Sequence, residues 1–262
     1  MTALDADALA AWLGSRPPSD EPFEWPTLSQ GASVREGRIA GKDWQLEDLS
    51  LSLPRMAPGE PARAELSGRF LQPGRELVFA GALDAGQAGP DTDLHLVSAG
   101  RLRGETLDVP WSLDLAGRIE GSRNPLLLRI DALAWRSQSP LPDAQAAGSL
   151  QWGDGLALRL EGDLPAWPAD WPALPAPLSQ STSAFDFSLL YDGPDDFSGP
   201  LRLRLRRDET TLEAEFETPA LLAWLDGGAA SPLPPVTAGL QTPSLEVQGA
   251  TLEGVHLELV ED

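Results

Sequence analysis

The feature that most constrains this chain is a period of two in its hydrophobic residues, repeated in one segment after another. Leu201, Leu203 and Leu205 alternate with the arginines at 202, 204 and 206. Because successive side chains of a strand point to opposite faces of the sheet, this pattern predicts a strand with one apolar and one polar face, as antiparallel sheets allow. The same alternation occurs at 111–119, 156–164 and 212–217.

Nine further segments have strand character: Ser33–Ile39, Leu49–Leu53, Ala62–Phe70, Leu77–Leu83, Asp93–Ser98, Leu126–Trp135, Ala146–Trp152, Phe185–Tyr191 and Leu245–Gln248. Turn-forming residues separate the strands, as at Gly153-Asp154-Gly155, Asp192-Gly193-Pro194 and Gln72-Pro73-Gly74. The 25 glycines and 25 prolines among 262 residues suit a meander of short strands and are too dense for a helical bundle. We therefore expect more than about 45% strand and less than about 15% helix, far from average contents.

Helix is predicted in only two places, Asp5–Leu13 and Pro219–Leu225. Their sequences resemble each other, since Ala-Leu-Ala-Ala-Trp-Leu at 8–13 is nearly repeated as Ala-Leu-Leu-Ala-Trp-Leu at 220–225. A proline-rich stretch and then a pair of strands follow each copy. A chance match between two Ala/Leu-rich segments is the alternative explanation.

The strand pairs after the two helices end in similar runs, Leu46–Leu53 and Leu252–Leu259. In both runs the leading leucine breaks the alternation, which predicts a bulge or bend at the third residue, Asp48 or Gly254. Repetition of a unit that cannot bury its own face is typical of an extended architecture. We expect one domain over 1–262, with related units at 1–60 and 217–262 flanking a meander over 61–216.

Composition excludes several function classes. The formal net charge of −21 repels phosphate backbones, so nucleic acid is not an expected partner. The absence of cysteine excludes disulfides and thiol chemistry. His95 and His256 are predicted to be surface residues of strands, and the aspartates at 91, 93, 192, 195 and 196 fit no calcium loop. We expect no enzyme activity, no metal and no cofactor.

Nine tryptophans against one tyrosine is an unusual ratio. Trp167 and Trp171 lie in the proline-rich stretch Ala166–Pro177, which we interpret as a linker or a lid, so these two are the candidates for a binding rim. The other seven are expected to pack against the sheet and its helices: Trp12, Trp25, Trp44, Trp111, Trp135, Trp152 and Trp224.

Three runs, Trp44–Leu53, Arg63–Phe70 and Val247–Leu259, resemble the AsmA family of bacterial envelope proteins. The resemblance implies a periplasmic protein, anchored in the inner membrane, with a curved β-groove and a role in phospholipid transport or outer-membrane homeostasis. It also implies phospholipid acyl chains and other envelope proteins as partners. No apolar run here reaches the roughly 20 residues that span a bilayer, so membrane attachment is expected only through an anchor outside these residues.

The predicted fold class is all-β and mainly antiparallel, a curved amphipathic sheet or half-barrel groove with two short helices. If the apolar face stays open, acyl chains could lie along it. The residues expected to line such a groove are Leu113, Leu115, Leu158, Leu160, Leu203, Leu205, Trp167 and Trp171. The rival hypothesis is an interaction module in which apolar faces meet in a β-sandwich without bound lipid. Alternation is the same in both cases, so the sequence leaves the two open.

Overall fold

The computed structural model describes residues 4–5, 19–22, 27–41, 44–89, 91–105, 107–120, 122–138, 140–153, 155–169, 171, 173–194, 198–226, 236–247 and 249–259. The strands are β1 (Leu4–Asp5), β2 (Ser19–Pro22), β3 (Ala32–Ala40), β4 (Gln45–Leu53), β5 (Ala62–Gln72), β6 (Arg75–Ala85), β7 (Thr92–Arg103), β8 (Asp108–Glu120), β9 (Ser122–Asn124), β10 (Leu126–Ser137), β11 (Ala144–Trp152), β12 (Leu156–Leu164), β13 (Phe185–Gly193), β14 (Pro200–Arg207), β15 (Thr210–Glu217), β16 (Thr237–Val247) and β17 (Ala250–Leu259). Helix in the described part is limited to α1 (Thr218–Asp226) and a 3-10 turn at Leu178–Gln180.

Fifteen strands form one open, curved sheet in which nearly every strand lies beside its neighbours in sequence. From β3 to β17 all neighbours are antiparallel, whereas the short β1 runs parallel to β3. Strands β2 and β9 pair with each other in a separate two-stranded sheet. The all-β, mainly antiparallel fold class is thus confirmed, and the expected strand and helix contents agree with it.

Each predicted strand lies within an observed one, with Leu245–Gln248 confirmed as far as Val247 because Gln248 lies outside the described residues. The helix predicted at Pro219–Leu225 is confirmed as α1. The helix predicted over Asp5–Leu13 is wrong at Asp5, which pairs with Ala40 in β1, and residues 6–13 lie outside the described part. The proposed relation between the units 1–60 and 217–262 stays a prediction.

The predicted turns are right at two of the three places. Gln72 pairs with Arg75 across Pro73 and Gly74, which joins β5 to β6 in a two-residue hairpin. Trp152 likewise pairs with Leu156 at the β11–β12 hairpin, of which Asp154 lies outside the described residues. The turn predicted at 192–194 is wrong at its start, because ladder pairing with β12 extends β13 through Gly193.

The predicted break of alternation is confirmed in both strand pairs. Asp48 in β4 has a left-handed backbone (φ 51°), and the pairing of β4 with β5 shifts register between Glu47 and Ser50. Gly254 in β17 is also left-handed (φ 64°). In both strands the third residue of the run has a left-handed backbone, and in β4 the register shift marks a bulge there.

Register places the alternating leucines of different strands on one continuous face. Residues directly opposite each other in an antiparallel pair share a face, so the pairing can be followed from strand to strand. One such row crosses twelve strands: Ala64, Leu83, Leu96, Leu115, Leu133, Ala146, Gly162, Phe187, Leu205, Leu212, Leu240 and Leu257. We call the side of the sheet that carries this row the apolar face.

The opposite side, which we call the polar face, is crossed by ion pairs between directly opposed residues. These pairs are Arg63–Asp84, Arg118–Asp93, Arg202–Glu215, Arg204–Glu213 and Arg206–Asp186, with N···O distances of 2.7–3.5 Å. Each exposed pair contributes little to stability, on the order of 0.2–1 kcal/mol. Together they match charges across each ladder, which favours the observed register over a shift that would oppose like charges.

Glycines on the apolar face allow neighbouring strands to approach closely there. A Cβ atom at Gly100 would lie 1.9 Å from the carbonyl oxygen of Val78, and one at Gly162 would lie 1.8 Å from that of Gln145. No larger residue fits without moving the backbone, because both contacts are far inside van der Waals distance. Only glycine is therefore compatible with the observed strand spacing at these two positions.

Candidate functional site: the apolar face and its strap

Much of the apolar face stays accessible. Leu66 is 42% exposed and Trp152 is 53% exposed, although both lie on this face. Burial is uneven across this face, since Val109 and Ile130 also lie on it and are only 1% and 4% exposed.

The six leucines predicted to line a groove all lie on the apolar face. Leu113 and Leu115 are in β8, the pair at 158 and 160 is in β12, and the pair at 203 and 205 is in β14. Leu115 and Leu205 are buried, whereas the other four are half-buried. Two strands separate β8 from β12, so the leucines sample a broad surface rather than one pocket.

One end of the apolar face is covered by the connection between β12 and β13, residues 165–184, which we call the strap. Trp167 of the strap packs on a buried cluster formed by Leu164, Phe185 and Leu205. Its ring centroid lies 5.3 Å from that of Phe185 and 4.8 Å from that of Trp171, which meets it edge-on. The interpretation of Ala166–Pro177 as a lid or linker is consistent with this position.

Hydrogen bonds hold the strap at both sides of the strands that it crosses. On one side, Trp171 Nε1 donates to the carbonyl oxygen of Pro140 in the β10–β11 connection at 2.6 Å. On the other, the backbone N–H of Glu246 in β16 donates to the carbonyl oxygen of Ala176 at 2.9 Å. The strap thus reaches from the β10–β11 connection to β16, past the ends of β13, β14 and β15.

The β14–β15 turn fixes the strap in the middle. Arg207 donates to the carbonyl oxygens of Leu178 and Ser181, and its guanidinium lies 4.5 Å from the ring centroid of Phe185. Ser183 Oγ donates to Asp208 at 2.8 Å. Hydrogen bonds from Ser181 and Ser183, together with the charge of Arg207, lower the pKa of Asp208. An ionised Asp208 therefore stabilises this attachment.

Two tryptophans form a second aromatic feature on the apolar face. The rings of Trp111 in β8 and Trp135 in β10 are nearly parallel, with 7° between their planes and 5.3 Å between their centroids. Trp44 also packs, on Phe70, as the sequence predicts. Trp152 does not, because it sits at the β11–β12 hairpin where little lies beside it. Trp12 and Trp25 lie outside the described residues.

Both histidines lie exposed on the polar face, as predicted. His95 Nε2 is 2.9 Å from Asp114 Oδ1, and His256 Nε2 is 3.2 Å from Glu258 Oε1. Sequence reasoning missed the partner of His95, because the contact depends on the register of β7 with β8. Each is a histidine beside a carboxylate on an exposed part of the polar face.

Metal-ligand side chains do not converge in the part of the chain that the structure describes, where no three of His, Asp and Glu are grouped for an ion. Asp93, one of the aspartates considered from sequence, instead accepts from Arg118 Nε at 2.7 Å. Asp195 and Asp196 lie outside the described residues. Within the described residues, no helix has the length and hydrophobicity to cross a bilayer.

The geometry defines an open all-β meander with one apolar face, closed at one end by a strap. Comparison with protein-family models, curated proteins and solved structures finds no match to the chain.

Proposed function

We propose that this protein is a non-enzymatic carrier of phospholipid acyl chains, which lie along the apolar face of its sheet. The observation that carries the proposal is the row of twelve residues from Ala64 to Leu257, on which no other strand of the large sheet packs among the described residues. Fourteen antiparallel strands spaced about 4.8 Å apart give this face a length of roughly 60 Å. Such a length accommodates several acyl chains.

Binding of this kind needs few polar contacts. Each methylene group removed from water contributes about 0.8 kcal/mol, so a chain of a dozen methylenes has a large driving force even against partly exposed leucines. The ion pairs on the polar face keep that side in water, which leaves the apolar face as the site of contact. The resemblance of the sequence to the AsmA family agrees with this role, and we extend the proposal to a periplasmic location and to phospholipid transport or outer-membrane homeostasis.

A second candidate function is an interaction module that binds no lipid. It is favoured by the cluster of Leu164, Phe185 and Leu205, which the strap closes into a small conventional core. If apolar side chains elsewhere on this face are covered in the same way, the face is a closed core and leaves no groove for lipid.

The experiment that separates the two functions compares neighbouring residues on opposite faces. Leu158 is half-buried on the apolar face, and Arg159 is exposed on the polar face without an ion pair in the described part of the chain. The protein is purified, and its organic extract is analysed by mass spectrometry for phospholipid. We expect phospholipid on the parent protein, a marked loss in Leu158→Asp and retention in Arg159→Asp, with both variants folded.

Two results would contradict the proposal. The first is a parent protein that carries no phospholipid and takes up none from vesicles. The second is a Leu158→Asp variant that unfolds while Arg159→Asp does not, because a buried carboxylate without a partner costs several kcal/mol only in a closed core.

A further inference from the structure

The two end strands of the sheet have open hydrogen-bonding edges among the described residues. Strand β17 is last in the sheet, with β16 on one side only. Of the described residues, those of β1 cover the outer side of strand β3, at Ile39 and Ala40. An open edge presents unpaired N–H and C=O groups, which are a template for pairing with another strand.

The number of strands makes the two edges compatible with each other. Because the fourteen strands from β3 to β17 alternate in direction, β3 and β17 run antiparallel. A second copy placed beside the first, with its apolar face on the same side, therefore presents its β3 antiparallel to β17. We propose that copies of this chain associate head to tail by pairing β17 of one copy with β3 of the next, which continues the apolar face from copy to copy.

Backbone irregularities limit the pairing to matching halves of the two strands. Glu36 in β3 and Gly254 in β17 have left-handed backbones, with φ of 54° and 64°, and such residues interrupt a ladder. The regular parts that remain are Ala32–Arg35 and Val255–Leu259. Since β3 begins at the edge of the sheet where β17 ends, these two parts lie at the same level in adjoining copies.

The side chains of these segments complement each other. Leu257 and Leu259 are 49% and 46% exposed on the apolar side, where Val34 of the next copy would lie beside them. On the polar side, Arg35 is exposed and makes no ion pair within the described residues, and when Val34 lies opposite Leu257, Glu258 is its diagonal neighbour across the ladder, within reach of a long side chain. Pairing of β17 with a second β17 through the same half would offer Glu258 no arginine or lysine, because Val255–Leu259 contains neither.

The ladder is short, so the contact is weak. Four or five residues per copy bury far less than the roughly 1,200 Å² of a stable interface. Association is therefore expected to increase with concentration rather than to give a permanent oligomer. A heterologous contact of this kind also does not close on itself, so species larger than dimers are expected.

Disulfide trapping tests the pairing directly, because the chain has no cysteine of its own. Two single variants, Val34→Cys and Leu257→Cys, are each prepared, one of them isotopically labelled, and are then oxidised separately and as a mixture. We expect the mixture to give a disulfide between Cys at 34 and Cys at 257 as the main cross-linked product. The separate variants should give much less. A main product joining 257 to 257, or no cross-linking at all, would overturn the proposal.

Exposed charges provide a second test that leaves the strands intact. Arg35→Glu and Glu258→Arg should each lower the weight-average mass in concentrated solution by sedimentation equilibrium, and the mixture of the two variants should restore it. A parent protein that stays monomeric up to its solubility limit would refute head-to-tail pairing. Because this assay contains no lipid, its failure leaves the proposed lipid function untouched.

Discussion

The indole ring of Trp167 lies 5.3 Å from the phenyl ring of Phe185, and this contact joins the strap to strand β13. The strap covers one part of the apolar face at this contact. On the strap side, Leu205 is only 4% exposed, whereas Leu66 on the far side is 42% exposed. Mutations of equal chemistry should therefore have different effects at the two ends.

Removal of the Trp167 side chain should destabilise the protein. Trp→Ala in a core costs about 3–5 kcal/mol, and roughly half of that is expected for the half-buried Trp167. Trp152→Ala is the matched control, because Trp152 is 53% exposed and its loss should change the free energy of unfolding by less than about 1 kcal/mol. Denaturant unfolding measures both. Equal effects of the two variants would contradict a specific closing role for Trp167.

The leucines of the apolar face should fall into the same two classes. Leu205→Ala removes a buried side chain from the strap cluster and should cost about 2–5 kcal/mol. Leu66→Ala removes one that already meets water and should cost clearly less, about 1 kcal/mol. Chemical denaturation of both variants under identical conditions tests the difference. A large cost for Leu66→Ala would mean that the open end is in fact covered.

Acid should loosen the strap before it unfolds the sheet. The pKa of Asp208 is lowered by hydrogen bonds from Ser181 and Ser183, so the ionised form is favoured in the folded state. The stability that it contributes is present above the ordinary aspartate pKa of about 3.9 and is lost as the pH falls through the lowered value. Tryptophan fluorescence and unfolding are measured against pH. The parent protein should be more stable than Asp208→Asn at neutral pH, and the two should converge in acid; a constant difference would refute this linkage.

Tyr191 is 1% exposed, and its hydroxyl donates to the carbonyl oxygen of Pro194 and accepts from the N–H of Gly199. Tyr191→Phe would leave both backbone groups without this partner in a buried place, which should cost about 1–3 kcal/mol. Thermal and denaturant unfolding measure the cost. An unchanged midpoint would show that the β13–β14 connection is held by other contacts.

Neither histidine should matter for function. Replacement of both His95 and His256 by alanine removes only exposed contacts to Asp114 and Glu258, and the free energy of unfolding should change by less than about 1 kcal/mol. Lipid content should equal that of the parent protein. A folded double variant that has lost the cellular function would argue for a catalytic role instead.

The strands could be predicted because the alternation of apolar and polar residues that specifies them lies within each strand. Alternation in Leu201–Arg206 gives the strand and both of its faces, and the leucine that disturbs the alternation before Asp48 locates a bulge. Neither inference requires knowledge of which strand lies beside it in the sheet. The fold class and the shared face of the six predicted leucines therefore follow from the sequence.

The strap contacts could not be predicted, because they join distant parts of the chain. The hydrogen bond from Glu246 to Ala176 and that from Trp171 to Pro140 leave no periodic pattern in the sequence. Strands β2 and β9 were missed for the same reason, since each is short and its partner is far away in sequence. The His95–Asp114 contact required the register of two long strands, which alternation alone does not fix.

The order of strands in the main sheet follows the order of the chain, apart from the omission of β2 and β9. Each hairpin can therefore form as soon as its second strand has left the ribosome, because its partner has already been synthesised. The sheet can therefore grow stepwise from its first strands. Solenoid proteins behave similarly, because their stability is nearly the sum of the stabilities of their repeats and of the interfaces between neighbouring repeats. Such a sheet should lose strands from one end under mechanical force, one hairpin at a time, rather than rupture in a single event.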